Sequence, residues 1–362
     1  MALSFFTGFP GFLGSELVKR LLFRRQDVDA LCLVQPKFAA LARQRACEIA
    51  KSLGTDPARI RIVEGDITAP SLGGAISDDD RAEITEIFHL AAIYDLSVTR
   101  DAGMRVNVLG TRHVLDFAET SPAFQRLHYV STCYVSGRSR GAFGENHLAV
   151  GQTFNNYYEA SKYLAELELR RRMSEGLQAT IYRPSIVVGD STTGATQKYD
   201  GPYYVLRWML RQPRVAIVPI VGDVHETEFN VVPRDFVIDA IDWLSASLCS
   251  LGRTYQLADP APPTVDEVLN VLERATGKRV VRVRLPLALA KFAIESVPGV
   301  ERLLGIPSAA IDYFVHPTHY DTTAATRDLK GSGVAVPRFE EYADVLVDFV
   351  RAHPEIGSSA MA

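Results

Sequence analysis

Along the first 190 residues the apolar positions follow two alternating rhythms. Short, mostly apolar runs have the length and composition of buried strands: "ALSFF" at 2–6, "DALCLV" at 29–34, "RIRIVEGDI" at 59–67, "EIFHLAA" at 86–92, "RLHYVST" at 126–132 and "ATIYRPSIVVG" at 179–189. Between several of them lie segments with the helical period. "FLGSELVKRLLFRR" sets Leu13, Leu17 and Leu21 on one face beside Val18 and Leu22 and ends in a basic turn. "RVNVLGTRHVLDFAE" and "YYEASKYLAELELRRRM" are the later amphipathic segments. Strands alternating with helices predict an α/β fold, a doubly wound parallel sheet covered on both faces.

After about residue 190 the rhythm breaks. "GDSTTGATQKYDGPYY" is rich in turn formers, and "DPAPPT" at 259–264 reads as a hinge into another lobe. There Thr264 and Glu267 predict a capping box for the helix "VDEVLNVLERAT", followed by a strand "RVVRVRL". The expected organisation is a dinucleotide-binding domain over 1–255, carrying a substrate-side insertion at about 191–225, and a smaller α-rich substrate lobe over 256–355.

Composition narrows the function. The chain has 362 residues, 47% hydrophobic and 23% charged, enough to bury a full core, with a net charge of -4 and no basic block that would mark a nucleic-acid partner. Cys32, Cys47, Cys133 and Cys249 lack metal or disulfide spacing, which predicts reduced thiols in a cytoplasmic setting. The apolar opening is too short for a secretory leader, and no uncharged run reaches the roughly 20 residues of a membrane span.

Candidate chemistry begins at "TGFPGFLG", where Gly8, Gly11 and Gly14 sit between the first strand and the first helix. Such a turn lies at the carboxyl edge of a parallel sheet. There glycine permits close backbone approach, and the free N–H groups of a helix start face an anion such as a dinucleotide pyrophosphate. Pro10, Phe12 and Leu13 complete the turn. The second strand ends at "CLVQPKF" without the carboxylate an NAD site uses on the ribose 2′-OH. Gln35 and Lys37 tolerate a 2′-phosphate, with Arg43 or Arg45 in reach, which favours NADPH over NADH; an ordinary surface lysine is the alternative for Lys37. Asp66 is placed at the adenine, followed by Ile67, and the small residues at Ala91 leave room beside the cofactor.

Tyr158 and Lys162 stand four apart on one helix face, where a lysine cation can stabilise a phenolate. Ser131 and Thr132 end a strand at the same sheet edge, where a hydroxyl can hydrogen-bond a carbonyl oxygen as charge develops on it.

These motifs, in order, resemble the extended short-chain dehydrogenase/reductase family: "TGFPGFLG", "GDI", "HLAA", "NVLGT", "VSTCYVSG", "YEASK", "YRPSIVVG" and "NVVPRDFV", over roughly residues 3–245. The resemblance implies a Rossmann-type sheet, Thr132 in the catalytic Ser/Thr position, Tyr158 as acid and Lys162 as its support. It also places Asn107 near the cofactor and Pro184, Ser185 and Ile186 along the nicotinamide. "YRPSIVVGDSTTG", "NNYYEASKYLAELEL" and the tail from His316 look most like the branch of fatty acyl-CoA reductases and terminal thioester reductases. That branch implies reduction of an acyl thioester, on CoA or a carrier protein, to aldehyde; a second hydride could yield alcohol, and the sequence does not say which product forms. Other readings are a ketone, hydroxysteroid or β-keto acid oxidoreductase, a nucleotide-sugar epimerase or dehydratase, and a cofactor-sensing binder without turnover.

Softer expectations concern the substrate side. The apolar stretch at 285–315 can wall an acyl tunnel, touch a membrane surface peripherally, or serve as core. Tyr199, Tyr203, Tyr204 and Trp208 line the substrate or pack internally, the His316 and His319 pair lacks an evident third metal ligand, and the arginines at 170–172 read as a solvated helix end. Oligomeric state is not legible.

Overall fold

The computed structural model describes residues 2–74, 76–296 and 307–357. Its strands are β1 Ala2–Thr7, β2 Val28–Val34, β3 Ile60–Glu64, β4 Ile84–His89, β5 Arg126–Val130, β6 Gly141–Phe143, β7 Ala179–Pro184, β8 Ile186–Val188, β9 Val215–Ile220, β10 Val231–Pro233, β11 Thr254–Leu257, β12 Arg279–Arg284 and β13 Thr318–Tyr320. Helices α1 to α10 span Phe12–Arg24, Ala39–Leu53, Asp78–Glu83, Arg100–Gly103, Thr111–Glu119, Tyr157–Ser174, Pro202–Arg211, Arg234–Ala246, Val265–Thr276 and Leu287–Ser296.

Seven strands form one parallel sheet in the order β11-β7-β5-β4-β1-β2-β3. The direction of winding reverses between β1 and β4. That switch point leaves a crevice at the carboxyl ends of the strands, where ligands bind in open α/β sheets. Each face is closed by an apolar layer. Leu17, Val18 and Leu21 of α1 join Val237 and Ile241 of α8 on one side; Val114 and Leu115 of α5 and Ala165 and Leu169 of α6 cover the other.

One predicted strand divides. "ATIYRPSIVVG" stays in the large sheet to Pro184; Ser185 then donates its N–H to the Leu257 carbonyl, and Ile186–Val188 crosses to pair with β10. The reading as a single strand fails because both halves are apolar, so the period gives no sign of a change of partner. The helix expected over 105–119 opens with a wider π-type turn at Met104–Gly110 before α5 continues regularly.

The segment expected as an insertion and the late strand form one body, because β9 pairs with β12 in parallel register, Ile217 opposite Val281. β11, the last strand of the large sheet, straddles the boundary expected between 255 and 256. The capping box forms as read: the Thr264 hydroxyl accepts from Glu267 N–H and the Glu267 carboxylate accepts from Thr264 N–H. β13 then returns to pair with β6, and helix Phe339–Ala352 packs into the same apolar cluster as α7 and α9. Residues 297–306 of the stretch read as a tunnel wall lie outside the described residues. No described helix is long and apolar enough to cross a membrane.

Candidate active site

The crevice is built first by the glycine turn. Gly8 adopts φ +91°, which L side chains rarely take, and a Cβ there would lie 2.8 Å from Ala91 N at the end of β4. A Cβ on Gly11 or Gly14 would lie 2.7 Å or 2.4 Å from the Gly8 carbonyl oxygen. All three glycines are therefore demanded by the turn itself, before any ligand is considered. Gly11 caps α1 without a side-chain acceptor and the first turn carries no acid, while Ser15 Oγ turns away to the Pro10 carbonyl at 2.9 Å. Phe12 and Leu13 follow as the first helical residues. An uncapped helix start at the sheet switch point is a fitting cradle for a diphosphate.

Buried side chains brace this cradle. His89 bridges Thr7 Oγ1 at 2.7 Å and Thr111 Oγ1 at 2.9 Å; burial, with the nearby Lys162 charge, pushes its imidazole down to about 3, so the ring stays neutral. Ala91 N donates to Thr7 Oγ1. At the end of β2, Gln35 donates to Asp66 Oδ2 at 3.0 Å, and Asp66 Oδ1 accepts from Thr68 N. Lys37 lies over the Phe38 ring; Arg43 pairs with Glu64 and Arg45 with Glu48. Ile67 is buried against Gly110, where a Cβ would come within 2.8 Å of its side chain.

The chemical group assembles on the neighbouring strand ends. Asn156 caps α6 by accepting from Glu159 N–H, and Tyr158 follows in the first turn, buried, its ring edge-on to Tyr94 at 5.1 Å. Thr132, also buried, starts the turn after β5 and accepts from Tyr134 N. Burial raises the Tyr158 phenol, and the Thr132 hydrogen bond opposes that rise. Lys162 Nζ donates to Tyr129 Oη at 2.9 Å and to the Val130 carbonyl at 2.8 Å; burial lowers it to about 7 against the Glu166 charge. The lysine shares a helix face with Tyr158, yet its hydrogen bonds go to β5. Asn107, in the π-type turn, accepts from Ile93 N and donates to Ser161 Oγ, tying the loop after β4 to α6. Pro184 ends β7, Ile186 lines the cleft with Tyr158, and Ser185 between them keeps a buried hydroxyl with no partner among the described residues. An orphaned hydroxyl at that place fits a missing polar ligand.

Several contributors escape the sequence reading. Tyr158, Lys162 and Glu166 form an i, i+4, i+8 ladder on α6. The fully buried Glu166 accepts from Ser131 Oγ (2.7 Å), Arg183 (2.6 and 3.1 Å) and the half-buried Arg170 (3.0 Å), so Arg170 reaches into the interior while Arg171 stays exposed at the helix end. The signal was an arginine inside the apolar run "TIYRPS". Tyr94, Tyr134, Tyr204, Phe229 and Tyr313 wall an aromatic cleft around Tyr158. Tyr199 and Tyr203 are core residues, bonded to His353 O and Gly189 N, and Trp208 lies in an adjoining chamber. His316 bonds Tyr320 and His319 pairs with Glu228, in two separate environments.

Known proteins resemble this chain in sequence and fold. A family model described as "Male sterility protein", an NAD-binding family, matches residues 6–241. The crystal structure of the terminal R domain from the myxalamid PKS-NRPS biosynthetic pathway superposes with a TM-score of 0.83 at 28% identity, covering 98% of this chain and 91% of that one. The non-canonical nonribosomal peptide synthetase cpsA of Aspergillus campestris is 28% identical over 281 residues, 73% of this chain and 26% of the synthetase. Aldehyde reductase lnbA of Aspergillus flavus is 26% identical over 334 residues, 85% of this chain and 30% of that protein. The chain thus spans less than a third of the length of these two relatives. With more than half its residues inside one family match, the chain belongs to the NAD-binding male sterility protein family, and so to the oxidoreductases of the extended short-chain dehydrogenase/reductase group.

Proposed function

We propose that the protein reduces an acyl thioester, held on a carrier protein or on CoA, to the aldehyde, with NADPH as reductant. The observation that carries this reading is the cleft over Tyr158, whose lining includes no charged side chain among the described residues. Its polar groups are tyrosine hydroxyls and its other described walls are apolar, so a nucleotide-sugar diphosphate would find no counter-charge there, whereas an acyl chain needs none. The reductase domains and aldehyde reductase among the relatives agree with it.

When bound, the nicotinamide supplies a hydride to the thioester carbonyl carbon. The remaining work falls to the chain. The glycine turn, Asp66, Ile67, Ala91 and Asn107 would hold the dinucleotide, with Pro184, Ser185 and Ile186 bordering its reactive end. Thr132 and Tyr158 hydrogen-bond the carbonyl oxygen as charge grows on it, and Tyr158 transfers a proton to it. Lys162, held by Tyr129 and Val130 on the same face of α6 as Tyr158, supplies positive charge to the site in its protonated form. The resulting thiohemiacetal expels thiol and leaves aldehyde; a second round would give alcohol.

The assay follows NADPH oxidation, free thiol and product mass with acyl-pantetheine and acyl-CoA. One thiol released per aldehyde formed supports the reading. Turnover of simple ketones with no thiol release from any thioester would overturn it. For the cofactor, no acid ends β2 and Lys37 stands just beyond it. Lys37→Ala should raise the KM for NADPH about tenfold, the scale of one charge-assisted contact, and leave that for NADH nearly unchanged. Equal losses with both cofactors would remove Lys37 from phosphate recognition.

A further inference from the structure

Next to the reaction cleft lies a second cavity of about 780 Å³, its open mouth included. Its walls include Val218 and Ile220 of β9, Leu269 of α9, Ala290 and Ile294 of α10, and Trp208 of α7. Among the described residues the lining carries no charged side chain, and the Trp208 indole N–H is already spent on the Ile217 carbonyl at 2.7 Å. A polar occupant would therefore lose its hydrogen bonds to water and find none in return.

Phe314 lines both spaces. Its ring is half-buried and stacks on Phe229 of the cleft at 5.4 Å, with 9° between the planes. The neighbouring Tyr313 is pinned to the catalytic helix, donating to Glu159 Oε1 at 2.8 Å and accepting from Asn156 Nδ2 at 3.0 Å. The backbone beneath Phe314 is thus anchored to α6 while its ring stands between two apolar spaces.

We propose that the chamber receives the hydrocarbon end of the acyl group and that Phe314 is the partition it passes, so that this residue and the chamber floor set which acyl lengths are turned over. The inference rests on the thioester reading for its substrate. Its physical content is separable, because burial of each methylene favours binding roughly fourfold.

The two tryptophans provide an independent readout. Trp243 lies on α8, donating to the Asp328 carbonyl, so in Trp243→Phe protein the emission reports Trp208 in the chamber wall. Decyl and ethyl thioethers of pantetheine, which cannot be reduced, serve as probes. The decyl probe should change Trp208 emission saturably and the ethyl probe should not, and Ala290→Phe should abolish the decyl effect by filling the chamber. In turnover, Ala290→Phe should lower kcat/KM for decanoyl-pantetheine at least about tenfold relative to acetyl-pantetheine. Phe314→Ala, which opens the passage, should shift the ratio toward longer and branched chains.

Retained acetyl-thioester turnover and NADPH binding establish that the variants are folded. Should Ala290→Phe not fold, Phe314→Ala and the Trp208 titration decide alone. A silent Trp208 with thioester turnover independent of length would overturn the chamber while leaving the reductase reading intact. A Trp208 response to the decyl probe in a protein that reduces no thioester would overturn the reductase reading and leave the apolar-chain site standing.

Discussion

Tyr158→Phe is expected to cut kcat for thioester reduction by about 10²–10⁴-fold, the usual worth of a positioned general acid, while NADPH affinity and the unfolding midpoint stay close to those of the parent. The substitution removes one oxygen. The ring keeps its edge contact with Tyr94, and Thr132 keeps the Tyr134 N–H and the nearby Pro184 carbonyl, so no buried polar group is newly orphaned. The glycine turn, which holds the diphosphate in the proposal, lies on a different element and is untouched. Burial raises the phenol and lowers Lys162, so the site by itself keeps Tyr158 protonated, the state an acid requires. Steady-state NADPH oxidation with equilibrium cofactor titration separates the two effects. A variant that turns over at the parental rate would take Tyr158 out of the mechanism; one that loses cofactor binding instead would make it a binding residue.

The second large effect concerns stability. Arg183→Met should destabilise the protein by about 3–5 kcal/mol, because it strips the main counter-charge from a carboxylate that stays buried. Glu166 and Arg183 are both fully buried, joined by two hydrogen bonds, and Arg183 also donates to the His147 carbonyl at 2.7 Å. Burial pushes the Glu166 carboxyl up, and Arg183, Arg170 and Ser131 together outweigh it and hold the group below its ordinary value of 4.5. A depressed folded-state pKa means that the stabilisation is present above the unfolded value and lost as pH falls through the folded one. Urea unfolding should show the variant weaker at neutral pH, with the gap narrowing in acid. The double variant Arg183→Met with Glu166→Leu should recover part of the loss, since it removes the stranded charge. A single-variant loss below about 1 kcal/mol, or a double variant no better than the single, would show that the pair is solvated or replaceable.

This pair also explains how the proposed reacting groups hold their places. Ser131, bonded to Glu166, precedes Thr132; Arg183 precedes Pro184; and Glu166 stands two helical steps beyond Tyr158 on α6. One buried ion pair therefore ties together the strand ends and the helix that carry the site.

What could be read beforehand follows the reach of each interaction. The alternation of strands and helices, the glycine turn, the Tyr158 and Lys162 spacing and the Thr264 capping box all depend on residues within a few positions of one another. Period, cap and turn are local properties, so order along the chain was enough. The reading weakened where the partner is distant. Lys162 faces Tyr158 by helical spacing, but its hydrogen bonds were settled by β5, which lies some thirty residues earlier.

The amino-acid order by itself thus determined the parallel α/β core, the glycine turn at its edge and the candidate hydroxyls and lysine. Tertiary structure alone decided that 179–189 divides between two sheets, that β9 joins β12, that Glu166 meets Arg183, and that Tyr94, Tyr134 and Tyr313 converge over Tyr158. An apolar run states that it will be buried without stating against what. Only the folded register, set by many weak contacts between segments far apart in the chain, names the partner.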